Sequence, residues 1–99
     1  MSSPGKFTLE TLYEIICDRR DHPLPGSYTA SLLGQGENEI VKKIGEEAIE
    51  VILASTSQGD RRLVEEIADL YYHILVLLAS RHIALEDIYS ELSRRHKPR

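Results

Sequence analysis

Hydrophobic residues recur along most of the chain with the 3.6-residue period of α-helices. Thr8 is placed to cap a first helix from Leu9 to about Arg20, and a proline-glycine loop at 22–26 follows it. Ser27 is placed to cap a short second helix that reaches Leu33. Since no segment shows the sustained alternation typical of a strand, the pattern predicts an all-α fold.

Two longer periodic segments follow, from about Glu37 to Ser57 and from a cap at Asp60 to about Arg81, and a last helix is predicted at 85–95. The three residues 57–59 between the long segments make them an antiparallel helical hairpin. We therefore predict one all-α domain over residues 1–99, a helical bundle built on this hairpin, with flexible ends at 1–6 and 96–99.

The second half of the fourth helix is apolar nearly all round, which requires burial on every side. A chain of 99 residues has few side chains of its own with which to cover this helix on every side. We therefore expect a homodimer or a higher homo-oligomer to complete the bundle through these residues: Tyr71, Tyr72, Ile74, Leu75, Val76, Leu77, Leu78 and Ala79.

Composition narrows the class of protein. Hydrophobic residues make up 41% and charged residues 28%, which is typical of soluble domains, and the net charge of −4 disfavours nucleic-acid binding. The most apolar stretch, 74–79, is too short to span a bilayer, and no signal peptide is evident at the N-terminus. The lone Cys17 excludes an internal disulfide. We expect a soluble, cytoplasmic protein without nucleic-acid or membrane partners.

Four acidic residues on the hairpin form the main candidate site. Glu47 and Glu50 are i,i+3 neighbours on one helical face, and so are Glu66 and Asp69. A turn centred on Gln58 places Glu50 opposite Glu66 and Glu47 opposite Asp69. All four carboxylates are then predicted to converge between the two helices.

Converging carboxylates need compensation, because two such charges about 4 Å apart repel by about 4 kcal/mol at an effective dielectric of about 20. Protonation or a cation supplies it, and a set of oxygen ligands selects Mg²⁺, Mn²⁺ or Ca²⁺. Magnesium is commonly shared with substrate phosphates, so the cluster suggests phosphate chemistry. The alternative is an acidic helix face that is simply exposed to solvent, which is our interpretation of the i,i+3 pair Asp18 and Asp21. A di-iron bundle needs Glu-x-x-His motifs, which the sequence lacks.

Neighbouring residues offer supporting roles with open alternatives. Lys43 either reaches a substrate phosphate or neutralises the acidic face. Glu46 is placed to take a proton from water or to act as a further ligand. A histidine in an apolar helix is more often a hydrogen-bonded core residue than a metal ligand, and the functional alternatives for His73 are contact with a metal ligand or with substrate. Arg19 and Tyr28 flank the proline-glycine loop and suit phosphate or ribose binding, although the helix dipole explains Arg19 equally well.

Three strings together resemble a known family: SYT at 27–29, KKIGEEAIEV at 42–51 and EIADLYYH at 66–73. They resemble the all-α nucleoside-triphosphate pyrophosphatase (MazG-like) superfamily. Within it, the match is closest to the phosphoribosyl-ATP pyrophosphatase family of histidine biosynthesis. The resemblance covers roughly residues 7–95.

The resemblance implies hydrolysis of 1-(5-phosphoribosyl)-ATP to 1-(5-phosphoribosyl)-AMP and pyrophosphate, the second step of histidine biosynthesis. It implies Mg²⁺ held by four carboxylates: Glu47, Glu50, Glu66 and Asp69. Glu46 is then the candidate that activates water, and the candidates for substrate contact are Lys43, Arg19, Tyr28 and His73. Two alternatives are a house-cleaning nucleoside-triphosphate pyrophosphatase of the same superfamily and a non-enzymatic helical dimerisation module.

Overall fold

A computed structural model describes residues 5–96 of the chain. These residues form five helices and no strand: α1 (Leu9–Asp21), α2 (Tyr28–Gln35), α3 (Glu37–Ser57), α4 (Gly59–Ser80) and α5 (Leu85–Arg95). The all-α prediction is thereby confirmed. Residues 1–4 and 97–99, which belong to the predicted flexible ends, lie outside the described residues.

Local side-chain chemistry sets two of the helix starts as predicted. The Thr8 hydroxyl oxygen accepts a hydrogen bond from the Thr11 backbone N–H at 3.1 Å. The Ser27 hydroxyl oxygen accepts one from the Ala30 backbone N–H, also at 3.1 Å. Each bond satisfies a backbone donor that the first turn of a helix leaves unpaired.

The predicted cap at Asp60 is wrong. Helix α4 begins at Gly59, so Asp60 lies inside its first turn, and Gln58 alone connects α3 to α4. Gly59 has a φ of +86°, a conformation that glycine adopts readily because it has no Cβ. This glycine allows the chain to reverse over a single connecting residue, and Asp60 still suits the positive end of the helix dipole.

The hydrophobic core lies at one end of the α3–α4 hairpin, where α1 and α2 pack against it. Its fully buried side chains come from all four helices: Ile16, Leu32, Ile40, Val76 and Ala79. The hairpin residues nearer the connection receive less cover, and Ile52 and Val64 are 61% and 66% exposed. The carboxylate motifs therefore lie between a buried and a more exposed half of the hairpin.

The apolar second half of α4 is mostly covered within the chain itself. Leu75 and Leu78 are buried together with the core residues, but Tyr71 and Ile74 remain partly exposed on the outer face of the helix. The expectation that one chain cannot cover this helix on every side thus applies to one face of it. None of the helices within residues 5–96 has the length and apolar character needed to cross a membrane.

Candidate active site

Three carboxylates converge between α3 and α4. One oxygen each of Glu47, Glu66 and Asp69 lies within 4.8 Å of the others. The i,i+3 spacing places Glu66 and Asp69 on one face of α4, and the antiparallel hairpin places Glu47 opposite them. The structure therefore brings together three of the four predicted metal ligands. Glu50 is not among these three and lies one turn nearer the connection, about 4.5 Å along the helix axis from Glu47.

The cluster is partly buried, and one of its oxygen atoms has no hydrogen-bond partner. The Glu66 side chain is only 8% exposed, and the buried Oε2 atom of Glu47 has no hydrogen-bond partner. Burial, followed by the nearby charge of Asp69, raises the pKa of Glu47. A buried polar atom without a partner is costly, and an oxygen-only donor set suits a hard divalent cation. These three residues fit such an ion, which would supply the missing partner.

Arg62 contacts this cluster from the first turns of α4. Its guanidinium Nη2 donates to Oε2 of Glu66, and its Nη1 donates to Oε1 of Glu65. Sequence analysis did not single out Arg62. The available signal was its i,i+4 spacing to Glu66, a spacing at which opposite charges meet on a helix surface.

His73 is a buried histidine with both ring nitrogens engaged. Its Nδ1 lies 2.8 Å from the backbone carbonyl oxygen of Asp69. A carbonyl oxygen only accepts, so Nδ1 donates this hydrogen bond, and Nε2 faces away from α4 towards α2. The Tyr28 hydroxyl lies 3.3 Å from this Nε2 and donates to it. His73 therefore links Asp69 to the start of α2, and the predicted contact of His73 with substrate stays a prediction.

Tyr28 and its neighbours form a small aromatic group beside the cluster. The ring of Tyr72 packs edge-on against His73, with 4.9 Å between the ring centroids, and Tyr28 stacks on Tyr72 at 6.3 Å. The Tyr72 hydroxyl also hydrogen-bonds to the Thr29 hydroxyl. Because Tyr28 is half exposed, its ring offers a surface to a molecule bound near Asp69.

Lys43 and Glu46 pair with each other across one turn of α3. The Lys43 Nζ lies 3.8 Å from Oε1 of Glu46. Both side chains are substantially exposed, and neither belongs to the three-carboxylate cluster. An exposed pair of this kind contributes little stability, so either side chain can turn to another partner at small cost.

Arg19 lies elsewhere in the described chain. It pairs with Asp18 at 2.9 Å and lines a cavity of about 250 Å³ between α1, α2 and the end of α4. Arg20, Leu33 and His82 also line this cavity, and no carboxylate of the cluster does. The structure therefore does not bring Arg19 together with the other predicted site residues.

Comparisons with known proteins point to one family. The profile of the phosphoribosyl-ATP pyrophosphohydrolase family matches residues 9–96 of this chain. The phosphoribosyl-ATP pyrophosphatase of Sulfurisphaera tokodaii is 52% identical over 89 residues, which are 90% of this chain and 95% of that protein. The protein of the same name from Pelotomaculum thermopropionicum is 52% identical over 92 residues, or 93% of this chain and 94% of its own length.

A longer relative shows the same similarity in part of its length. The histidine biosynthesis bifunctional protein HisIE of Caldanaerobacter subterraneus is 48% identical over 89 residues, which are 90% of this chain and 43% of that protein. The matched region of this chain includes α3 and α4, the two helices that carry the carboxylate cluster.

Proposed function

We propose that this chain, which belongs to the phosphoribosyl-ATP pyrophosphohydrolase family, hydrolyses phosphoribosyl-ATP to phosphoribosyl-AMP and pyrophosphate as an enzyme of histidine biosynthesis. The observation that carries the proposal is the cluster of Glu47, Glu66 and Asp69, with its buried, unpartnered oxygen, in a chain that resembles named pyrophosphatases over nearly its whole length.

The metal in this proposal is Mg²⁺, held by oxygens of Glu47, Glu66 and Asp69. Glu50 lies one helical turn from Glu47. Rotation of its flexible side chain brings it to the ion as a fourth ligand. When bound, Mg²⁺ would offset negative charge on the phosphate oxygens, which would favour attack of water at phosphorus and departure of pyrophosphate. The carboxylates themselves fix where the triphosphate binds, because they present their oxygens on one face of the hairpin.

Glu46 and Lys43 act on the reacting groups from the neighbouring face of α3. Glu46 orients a water molecule and accepts its proton as the water oxygen bonds to phosphorus and the α–β anhydride bond breaks. Lys43, now paired with Glu46, turns to the phosphates and offsets the negative charge of the departing pyrophosphate. The two residues are close enough to each other to serve one substrate.

Tyr28 and Arg19 extend the substrate site along α2. Tyr28 opens this helix next to His73, while Leu33 near its other end lines the cavity of Arg19. A substrate that follows α2 away from the metal passes from the aromatic ring towards the arginine. In this arrangement Tyr28 bounds the ribose or phosphate pocket, His73 borders it, and Arg19 binds a phosphate at its far end.

We further propose that the enzyme is a homodimer. An interface of standard size covers about 800 Å² on each partner, and the exposed apolar face of the hairpin is the candidate for it. Exposed apolar side chains on the hairpin supply its contacts: Ile49, Ile52, Val64, Tyr71 and Ile74.

The deciding experiment measures pyrophosphate release from phosphoribosyl-ATP with Mg²⁺ and with EDTA, beside dUTP and dCTP. We expect metal-dependent release with a strong preference for phosphoribosyl-ATP. Asp69→Asn should lower it by about a hundredfold or more, whereas Asp60→Asn on the same helix should keep it. Equal rates on the simple nucleotides would instead favour a house-cleaning enzyme, and an absence of carboxylate-dependent metal binding would favour an interaction module.

We propose a cytoplasmic location, where the single cysteine stays reduced.

A further inference from the structure

Arg62 holds one of the cluster carboxylates in a charged contact. It lies one turn before Glu66 on α4, and its Nη2 reaches Oε2 of that residue. The arginine side chain is 47% exposed, whereas the glutamate it contacts is almost completely buried. A guanidinium–carboxylate contact with one buried partner is less screened by solvent than a surface pair.

The adjacent arginine provides a contrast. Arg61 is 93% exposed, and its contact is with Glu65, where its Nε lies 3.6 Å from a carboxylate oxygen. Both arginines thus stand beside Glu65, but the contact with Glu66 belongs to Arg62. A comparison of the two arginines therefore distinguishes an effect of the contact between Arg62 and Glu66 from the general effect of a positive charge on this turn.

We propose that Arg62 is a built-in counter-cation of the carboxylate cluster, which competes with the divalent ion for Glu66. Without metal, its positive charge offsets part of the repulsion among the three carboxylates and stabilises the fold. With metal, the same charge lies beside a divalent cation and is repelled by it. This inference rests on the proposed function, because it takes the cluster to be the metal site.

Thermodynamic linkage makes the two effects reciprocal. If the contact between Arg62 and Glu66 weakens metal binding by some factor, then bound metal weakens that contact by the same factor. Loss of the Arg62 charge should therefore tighten metal binding and destabilise the metal-free protein. Saturating metal should therefore reduce the difference in stability between the variant and the parent protein.

The test compares Arg62→Gln with Arg61→Gln in the full chain, with Mn²⁺ as the probe. Binding is measured by electron paramagnetic resonance of free Mn²⁺ and by calorimetry, and thermal unfolding is followed in EDTA and in saturating Mn²⁺. We expect Arg62→Gln to bind Mn²⁺ about threefold to tenfold more tightly than the parent. We also expect its unfolding temperature to fall in EDTA and to recover with Mn²⁺. Arg61→Gln should behave like the parent in both measurements.

Arg62→Lys keeps the measurement possible if Arg62→Gln fails to fold without metal. Lysine retains the charge but cannot contact Glu65 and Glu66 with two nitrogens, so its Mn²⁺ affinity should lie between those of the parent and Arg62→Gln. Unchanged or weaker binding by Arg62→Gln, or equal tightening by Arg61→Gln, would overturn the inference while leaving the metal site intact. If the parent chain itself binds no Mn²⁺ through these carboxylates, the proposed function fails as well, so the two failures are distinguishable.

Discussion

The Nδ1 atom of His73 lies 2.8 Å from the backbone carbonyl oxygen of Asp69, one turn earlier on α4. This bond sets the tautomer of the ring and directs Nε2 towards the hydroxyl of Tyr28. A carboxylate-bearing turn of α4 is therefore joined through one buried imidazole to the first residue of α2. The hydrogen bond to His73, together with the stacking of its ring on Tyr72, holds Tyr28 beside the cluster.

We predict that the contribution of Tyr28 to stability passes through His73. His73→Leu should lower the free energy of unfolding by about 1–2 kcal/mol, because the Asp69 carbonyl and the half-exposed Tyr28 hydroxyl each lose a hydrogen-bond partner. Tyr28→Phe should cost about 0.5–1 kcal/mol in the parent chain and almost nothing in the His73→Leu chain. Urea denaturation of the two single variants and the double variant measures this. Equal costs of Tyr28→Phe in both chains would contradict the link.

A second prediction concerns the pH dependence of the metal-free protein. Because the folded state raises the pKa of Glu47, it binds a proton there more tightly than the unfolded state does. The stability associated with this group is full below the ordinary glutamate pKa of about 4.3 and is lost as the pH rises through the raised pKa of Glu47.

Thermal unfolding in EDTA across this pH range tests the sign. Glu47→Gln removes the titrating group, so its unfolding temperature should fall less than that of the parent as the pH rises. Carboxylates outside the cluster are common to both proteins and cancel in the comparison. The same pH dependence in the two proteins would show that Glu47 ionises without a cost to the fold.

A third prediction ranks the carboxylates. Glu47→Gln, Glu66→Gln and Asp69→Asn should each lower Mg²⁺-dependent kcat/KM by about a hundredfold or more, since each removes a charged ligand from the cluster. Glu50→Gln should lower it by about tenfold, because Glu50 lies outside the preformed group and joins it only by rotation of its side chain. Steady-state kinetics over a range of Mg²⁺ concentrations measures the ranking. Full activity of both Glu50→Gln and Asp69→Asn would refute the assignment of the site.

A fourth prediction tests the dimer. Ile52→Glu places a charge on the exposed apolar face of the hairpin and should convert the protein to a monomer, because a buried unpaired carboxylate opposes association. Leu24→Glu, in the proline-glycine loop, alters a residue of similar exposure away from the hairpin and should leave the dimer intact. Light scattering after size-exclusion chromatography distinguishes the two. A parent chain that is monomeric at micromolar concentration would contradict the proposal.

The helices follow from the sequence because their determinants are local. Thr8 and Ser27 cap the turns that contain them, and the period of apolar residues places α3 and α5 within the bounds that the structure has. The i,i+3 spacing likewise places Glu66 and Asp69 on one face without reference to any other helix. Backbone hydrogen bonds that close within four residues make such features readable from short stretches of chain.

Tertiary structure decided what depends on the packing of one helix against another. The packing of α3 against α4 groups Glu47 with Glu66 and Asp69, while Glu50 stays outside this group. Tertiary structure also assigned Arg19 to a separate cavity and brought Arg62 onto Glu66. The sequence alone determined which faces of the helices are acidic. The side chains that meet across those faces depend on helix register and rotamer, which are set by contacts between residues distant in sequence.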